Sequence, residues 1–120
     1  MRVGALKLKA QLFCGEEAAM GPGKADLLEA IDQTGSISAA GRALGMSYRR
    51  AWLLVDSMNR CFSDRLVDTI AGGGQAKGAR LTPTGREVLA LYRALEARLA
   101  DAAADDLALL QALLRTVPLA

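Results

Sequence analysis

The sequence contains no histidine, and only two of its 120 residues are cysteines. Histidine is the commonest general base and the commonest metal ligand, so its absence argues against an enzyme and against a metal site. Cys14 and Cys61 lie far apart in the sequence, without the paired spacing of a zinc site or of a disulfide framework. We therefore expect two buried or free thiols, no bound metal, no cofactor and no enzymatic activity.

Aromatic residues and long apolar runs are also scarce. Only five residues are aromatic, and no apolar run approaches the roughly 20 residues that are needed to cross a bilayer. The amino terminus alternates polar and apolar residues and lacks the apolar block of a signal peptide. We therefore expect a soluble, cytoplasmic protein that does not contact a membrane.

Alanine and leucine are abundant instead, with 23 and 20 residues respectively. Both residues lose little conformational freedom on entering a helix, so this bias favours helical structure. A chain of 120 residues has room for one domain, or for one domain with a helical appendage. We predict a mainly α fold with a small β component.

Charge is unevenly distributed along the chain, although the net charge is only +2. Residues 36–86 include eight basic and three acidic side chains, a net charge of +5. The remainder has seven basic and ten acidic side chains, a net charge of −3. A basic middle between acidic ends favours an anionic partner for the middle.

The amino-terminal quarter shows a strand pattern followed by a loop pattern. Residues 3–13 alternate polar and apolar side chains with a period of two, which is typical of one half-buried strand. Residues 14–23 contain three glycines and a proline, which predict a loop.

The next segment predicts two helices. Apolar residues at helical spacing indicate a first helix over residues 24–34, and Gly35 suits the left-handed conformation that often ends a helix. Ser36 or Ser38 can cap a second helix that ends near Leu44.

A third helix completes a known arrangement. After Gly45, Ser47 is placed to cap a helix that runs to about Phe62. Gly41 is small at the point where the second and third helices would approach most closely. Two short helices joined by a three-residue turn that contains glycine are typical of a helix-turn-helix.

Two short strand-like segments follow, at residues 66–71 and 79–82, with the glycine-rich stretch GGGQAKG between them. A helix-turn-helix followed by such a hairpin is a winged helix, and a plain surface hairpin is the alternative. A phosphate-binding P-loop is rejected, because Ala79 stands where a lysine must follow Gly78.

A long apolar stripe begins after Pro83 or Thr84, either of which can open a fourth helix. The stripe consists of Val88, Tyr92, Leu95, Leu99, Ala103, Leu107, Leu110, Leu114 and Val117. It either belongs to one continuous helix, or Asp101 or Asp105 caps a separate final helix.

A stripe of this length packs against a second copy or against the core of its own chain. We predict a homodimer, with packing inside one chain as the alternative. The chain is accordingly divided into a winged helix-turn-helix unit at residues 1–82 and a carboxy-terminal helical dimerisation segment at residues 83–120.

The third helix presents two faces when residues are placed at about 100° intervals. The predicted core face consists of Ala51, Leu54, Val55, Met58 and Phe62. The opposite face carries Arg49, Leu53, Asp56 and Arg60. We expect Trp52 to fill core or interhelical space. Leu53 touches either a thymine methyl group or the second helix.

The basic residues of the third helix are placed where they could contact double-stranded DNA. An α-helix fits the major groove, and its first turn reaches base edges, where Arg49 can donate two bonds to guanine. Arg50 and Arg60 can neutralise phosphates, and the Tyr48 hydroxyl can reach one. Two arginines at a helix start oppose the macrodipole unless an anion compensates, and a phosphate would do so.

We predict double-stranded DNA as the partner. Lys77, on the predicted wing, is placed for a phosphate or minor-groove contact. The full set of candidate DNA-binding residues is Ser36, Ser38, Ser47, Tyr48, Arg49, Arg50, Arg60, Lys77 and Arg80.

The stretches GKADLLEAIDQTGSISAAGRALGMSYRRAWLLVDSMN and GARLTPTGREVLALY resemble a known family. They are similar to the amino-terminal DNA-binding domain of ModE, the molybdate-responsive bacterial transcription regulators, which are related to LysR-type winged helices. The resemblance covers roughly residues 24–99, and LKLKAQLF near the amino terminus is also similar.

The resemblance implies a dimeric winged-helix transcription regulator. By resemblance, Ser47, Tyr48, Arg49 and Arg50 open the recognition helix, and residues 72–80 form the wing. Two departures are Gly41, where the family often has alanine, and the interruption of the wing by the residues Gln-Ala-Lys.

In full-length members of this family the molybdate sites lie in carboxy-terminal domains. The chain looks like a stand-alone member without such a domain, so molybdate binding is not expected within it. The alternative function is a winged-helix protein-interaction module without its own operator. The salt dependence of DNA binding distinguishes the two functions, because counterion release makes binding to DNA weaken steeply with salt.

Overall fold

The computed structural model describes residues 1–71 and 77–120, except the side chains of Ala71 and Lys77. The helices are α1 (Pro22–Thr34), α2 (Ile37–Ala43), α3 (Tyr48–Cys61) and α4 (Pro83–Leu113). Three antiparallel hairpins pair β1 (Arg2–Val3) with β2 (Leu6–Lys7), β3 (Leu12–Cys14) with β4 (Glu17–Met20), and β5 (Val67–Ala71) with β6 (Lys77–Leu81). The prediction of a mainly α winged helix with a small β component is confirmed.

The prediction of one strand over residues 3–13 is wrong, because this region is divided among the end of β1, the whole of β2 and the start of β3. Gly4 and Gly15 adopt positive φ angles of 56° and 61°, which most side chains disfavour, and each lies in the turn of a hairpin. The loop predicted at residues 14–23 is also wrong, since it contains β4 and the first residues of α1. A period of two marks a strand but does not show where the strand turns.

The helix-turn-helix forms as predicted. The Ser36 hydroxyl oxygen accepts a hydrogen bond from the Ala39 amide at 3.1 Å, so Ser36 caps α2 and Ser38 lies inside the helix. The Ser47 hydroxyl oxygen accepts from the Arg50 amide at 3.1 Å and caps α3. Gly35 ends α1 in the left-handed conformation, with a φ angle of 70°.

The contact between α2 and α3 depends on Gly41. A Cβ atom at this position would lie 3.0 Å from the Cβ of Ala51, so an alanine here would require the two helices to move apart by a few tenths of an ångström. The core beneath this contact is apolar and joins all four helices to the β3–β4 and β5–β6 hairpins. Its largest fully buried side chains are Met20, Leu27, Leu28, Ile31, Met58, Leu66, Leu81 and Val67.

The segment LTPTG joins the wing to α4. The Thr82 hydroxyl accepts a hydrogen bond from the Gly85 amide at 2.9 Å and donates one to the Arg65 carbonyl at 2.6 Å. The Thr82 amide donates to the Leu66 carbonyl at 2.9 Å. A Cβ atom on Gly85 would lie 2.1 Å from the same Leu66 carbonyl oxygen, so only glycine fits there.

The carboxy-terminal region contains one helix, and the alternative of a separate final helix capped by Asp101 or Asp105 is wrong. α4 runs unbroken for 31 residues and ends before Val117. Its first half packs on the domain: Tyr92 is buried, and its hydroxyl donates to the Ala10 carbonyl at 2.7 Å.

Charged contacts also hold this first half of α4. The Arg93 guanidinium bridges Asp26 of α1 at 2.8 Å and the buried Glu96 at 2.9 Å. Further along, Leu107 is the only buried member of the apolar stripe within the described residues beyond Tyr92. The proposed division of the chain at residue 82 remains a prediction.

In the part of the chain that the structure describes, no helix has both the length and the apolar character required to cross a bilayer.

Candidate nucleic-acid interface

The amphipathic character predicted for α3 is present in the structure. Ala51, Val55 and Met58 are buried, and Leu54 and Phe62 are partly buried against the same core. The opposite side of the helix is exposed along its whole length. This exposed side, together with the amino-terminal turn, is called the α3 surface below.

The amino-terminal turn of α3 carries two cationic side chains. Ser47, Tyr48, Arg49 and Arg50 are all exposed, and no acidic residue lies in this turn. Among the described residues, neither Arg49 nor Arg50 forms an ion pair or a side-chain hydrogen bond. Positive charge at the positive end of the helix dipole is unfavourable in the free protein. An anion placed at this turn would therefore be stabilised by both the arginines and the helix.

A groove separates the α3 surface from the wing. Its volume is about 320 Å³, and Tyr48 and Trp52 form one wall with their rings edge to face, 6.1 Å between centroids. The remaining lining residues are Ser36, Ile37 and Ser38 at the start of α2, and Thr69, Ile70, Gly78 and Ala79 of the wing. The groove therefore brings the candidates Ser36, Ser38 and Tyr48 together.

Arg60 lies at the other end of α3 and is held by two carboxylates. Its guanidinium is 2.8 Å from the Glu17 carboxylate of β4 and 2.9 Å from Asp56, one helical turn earlier. Asp56 therefore has an ion-pair partner within the chain. A phosphate contact by Arg60 would compete with both carboxylates.

Glu17 is the centre of a polar cluster that joins β4, α1 and α3. Its carboxylate accepts a hydrogen bond from the Ser57 hydroxyl at 2.6 Å, and Ser57 in turn accepts one from the Lys24 ammonium at 3.2 Å. The hydrogen bonds from Ser57 and Arg60 hold the pKa of Glu17 below its ordinary value. The same contact with Glu17 raises the pKa of Arg60.

The wing contributes one described candidate. Arg80 is exposed on β6 and lies opposite Asp68 in the β5–β6 register, while its neighbours Ala79 and Leu81 are buried. The side chain of Lys77 and residues 72–76 of the predicted wing lie outside the described residues. Asn59 anchors the wing to α3, since its side-chain oxygen accepts from the amides of Leu66 and Val67 at 2.8 and 3.1 Å.

Trp52 differs from its predicted place. It is 37% exposed and lines the groove instead of filling the core, and Leu53 beside it is 56% exposed. Trp52 follows Ala51 and therefore lies about 100° from it around the helix, between the two faces, and this spacing is the sequence feature that agrees with its exposure. No local feature of the sequence indicates that Glu17 contacts α3, because the residues around it predict a loop.

The fold and the α3 surface define a winged helix-turn-helix protein of the DNA-binding class. A family model described as bacterial regulatory helix-turn-helix protein, lysR family, matches residues 24–86, from α1 to the start of α4. The chain belongs to this lysR family of bacterial regulatory helix-turn-helix proteins, as the resemblance to LysR-type winged helices predicts.

Curated relatives confirm the resemblance to ModE. The chain is 47% identical over 70 residues to the molybdenum transport protein ModE of Azotobacter vinelandii, covering 58% of this chain and 26% of that protein. It is 46% identical over 83 residues to the molybdenum-pterin-binding protein MopB of Rhodobacter capsulatus, covering 69% and 31%. It is 35% identical over 107 residues to the DNA-binding transcriptional dual regulator ModE of Escherichia coli (strain K12), covering 87% and 38%.

The chain thus spans between 26% and 38% of the length of these three relatives. Among solved structures, ArgP from Mycobacterium tuberculosis is similar in fold, with a TM-score of 0.50 and 21% sequence identity. This likeness covers 70% of the chain and 30% of ArgP.

Proposed function

We propose that the chain is a homodimeric, sequence-specific regulator that inserts the amino-terminal turn of α3 into the major groove. Arg49 contacts base edges, and Arg50 contacts a backbone phosphate. The observation that carries this proposal is the pair of exposed arginines at a helix start that has no acidic residue in its first turn. DNA would supply the missing anion.

The groove beside α3 gives the duplex a second contact. Ser36 and Ser47 use their hydroxyl oxygens as helix caps, which leaves each hydroxyl hydrogen able to donate to a phosphate. Ser38 and Tyr48 line the same side of the molecule, and Arg80 and Lys77 belong to the wing across the groove. We propose that these residues bind phosphates of the DNA backbone on either side of the inserted helix. Arg60 can make such a contact only if its ion pair with Glu17 breaks.

The distal half of α4 supports a dimer. Leu110, Leu113 and Leu114 are 64%, 86% and 61% exposed on a single chain, which is a large apolar surface for one helix end. Pairing with a second copy would cover it. Two-fold symmetry would then place the two α3 helices about 34 Å apart, one turn of DNA, or a multiple of that distance.

The test is selection of binding sites from random duplex DNA by the purified chain. Affinity is then measured on the selected site and on random DNA at several salt concentrations. We expect a specificity ratio of at least about 10³ and an affinity that falls steeply with salt. A chain that enriches no sequence contradicts the proposal, and this is the result expected of a protein-interaction module.

Molybdate is not expected to bind to this chain. The two relatives above whose names mention molybdenum are matched over less than a third of their own length. Calorimetry with molybdate or tungstate should show no stoichiometric binding at micromolar concentration, and added molybdate should leave the DNA affinity unchanged. Stoichiometric micromolar binding of either oxyanion would contradict this expectation.

A further inference from the structure

The β3–β4 hairpin points one cysteine at the end of α3. Cys14 lies directly opposite Glu17 in the strand register, and opposite residues of an antiparallel pair project to the same face. The Glu17 carboxylate reaches Ser57 and Arg60 of α3, at 2.6 and 2.8 Å. Cys14 therefore projects toward the same carboxy-terminal turn of that helix.

The second cysteine is in this turn. Cys61 is the last residue of α3 and lies four residues after Ser57, on the same helix face. Cys14 is exposed and Cys61 is partly buried. Burial, the charge of Glu17 and the nearby Cys14 thiol raise the pKa of Cys61, which is consistent with the proximity of the two side chains that the strand register indicates.

We propose that Cys14 and Cys61 form a dithiol site that is oxidised reversibly to an intramolecular disulfide by low-molecular-weight disulfides. Nothing in the spacing of the two residues along the sequence indicates this site; the packing of the hairpin on α3 creates it. The proposal does not depend on DNA binding.

The reaction has two exchange steps. The exposed Cys14 thiolate attacks one sulfur of the small disulfide, forms a mixed disulfide and releases one small thiolate. The Cys61 thiolate then attacks the Cys14 sulfur and displaces the second small thiolate. The two protein thiols lose two electrons, the small disulfide gains them, and the two protons pass to the released thiolates. Cys14 acts first because it is accessible. Burial raises the pKa of Cys61, so this thiol stays protonated to a higher pH.

The bond would join the hairpin covalently to the helix that carries the α3 surface. It closes a loop from residue 14 to residue 61, which includes β4, α1, α2 and α3. Closing such a loop restricts the unfolded chain and stabilises the folded one. Oxidised protein is therefore expected to melt at a higher temperature than reduced protein, by at least about 5 °C.

The experiment exposes the reduced, purified chain to oxidised glutathione and follows its intact mass, its thiol content and its melting temperature. We expect both thiols to be lost, a mass lower by two hydrogen atoms, and a crosslinked peptide pair that contains Cys14 and Cys61. A persistent glutathione adduct on the parent chain, or a disulfide-linked dimer as the main product, would overturn the proposal.

Two single variants separate the steps. In Cys61→Ser the reaction should end at a stable glutathione adduct on Cys14, and the melting temperature should not rise. Cys14→Ser should gain the adduct on Cys61 at least about tenfold more slowly, because that thiol is partly buried. Equal rates of adduct formation in the two variants would contradict the assignment of Cys14 as the attacking thiol.

Discussion

Arg49 is the side chain on which the direct reading of bases depends, since it is exposed in the first turn of α3. Arg49→Ala should cost about 1–3 kcal/mol on the selected site and reduce the gap between selected and random DNA. Titrations of both DNAs measure this change. Arg98→Ala, which removes an exposed arginine from α4, should leave the gap unchanged.

Lys77 is expected to behave differently from Arg49, because a phosphate contact carries no sequence information. Lys77→Ala should weaken binding to selected and random DNA alike and lower the salt slope by about one. Affinities at a series of salt concentrations give the slope. Intact operator affinity in Arg49→Ala together with lost discrimination in Lys77→Ala would show that the wing, not α3, reads the sequence.

Gly85 is a position where packing alone decides which residue is allowed. Gly85→Ala would drive a methyl group into the Leu66 carbonyl oxygen, and it should lower the free energy of unfolding by at least about 2 kcal/mol. Gly23→Ala is the matched control, because that helical glycine has no neighbouring atom within 4 Å of the added carbon. It should raise stability by about 0.5–1 kcal/mol, and urea unfolding of both variants tests the pair.

At the scale of elements, the Glu17 carboxylate joins β4 to α3, and its protonation is coupled to folding. The pKa of Glu17 is lower in the folded chain than its ordinary value, so its contribution to stability is complete above about pH 4.3. That contribution is lost as the pH falls through the lowered pKa of the folded state. Glu17→Gln should therefore melt below the parent at neutral pH, and the difference should close in acid.

Melting curves between neutral and acidic pH test this coupling. Glu16→Gln is the control, since Glu16 is exposed in the same hairpin. Its melting temperature should equal that of the parent at every pH. A difference between Glu17→Gln and the parent that stays constant into acid would show that the lost contact is not electrostatic.

The elements also show which parts of the fold can be predicted from sequence. The limits and faces of α3 follow from local chemistry: Ser47 caps it, and the apolar residues recur at helical spacing. The hairpins β1–β2 and β3–β4 have no such local signal, because a turn at Gly4 or Gly15 preserves the alternating pattern. The partner of Arg60 comes from β4, so it could be found only once the tertiary packing was known.

At the scale of the whole molecule, the chain is elongated, with principal extents of 60 × 33 × 26 Å. We expect light scattering to return twice the chain mass of 12.6 kDa at micromolar concentration. Leu110→Glu should shift this value to the monomer, because it places a charge in the apolar stripe.

The neighbouring Leu109 provides the control for this experiment. Leu109 is similarly exposed but points about 100° away from Leu110 around α4. Leu109→Glu should keep more of the dimer than Leu110→Glu and should leave the melting temperature unchanged. A parent chain that is monomeric at micromolar concentration would rule out the dimer.

The unbroken course of α4 has a mechanical consequence. From Gly85 to Leu113 it measures about 42 Å, at about 1.5 Å per residue. In a dimer joined at the distal end of α4, a tilt of about 5° at the joint would swing the DNA-binding end through about 3.7 Å, close to the rise of one base pair. The stiffness of that joint would then determine how far the spacing between two half-sites can vary, in base pairs, before binding is lost.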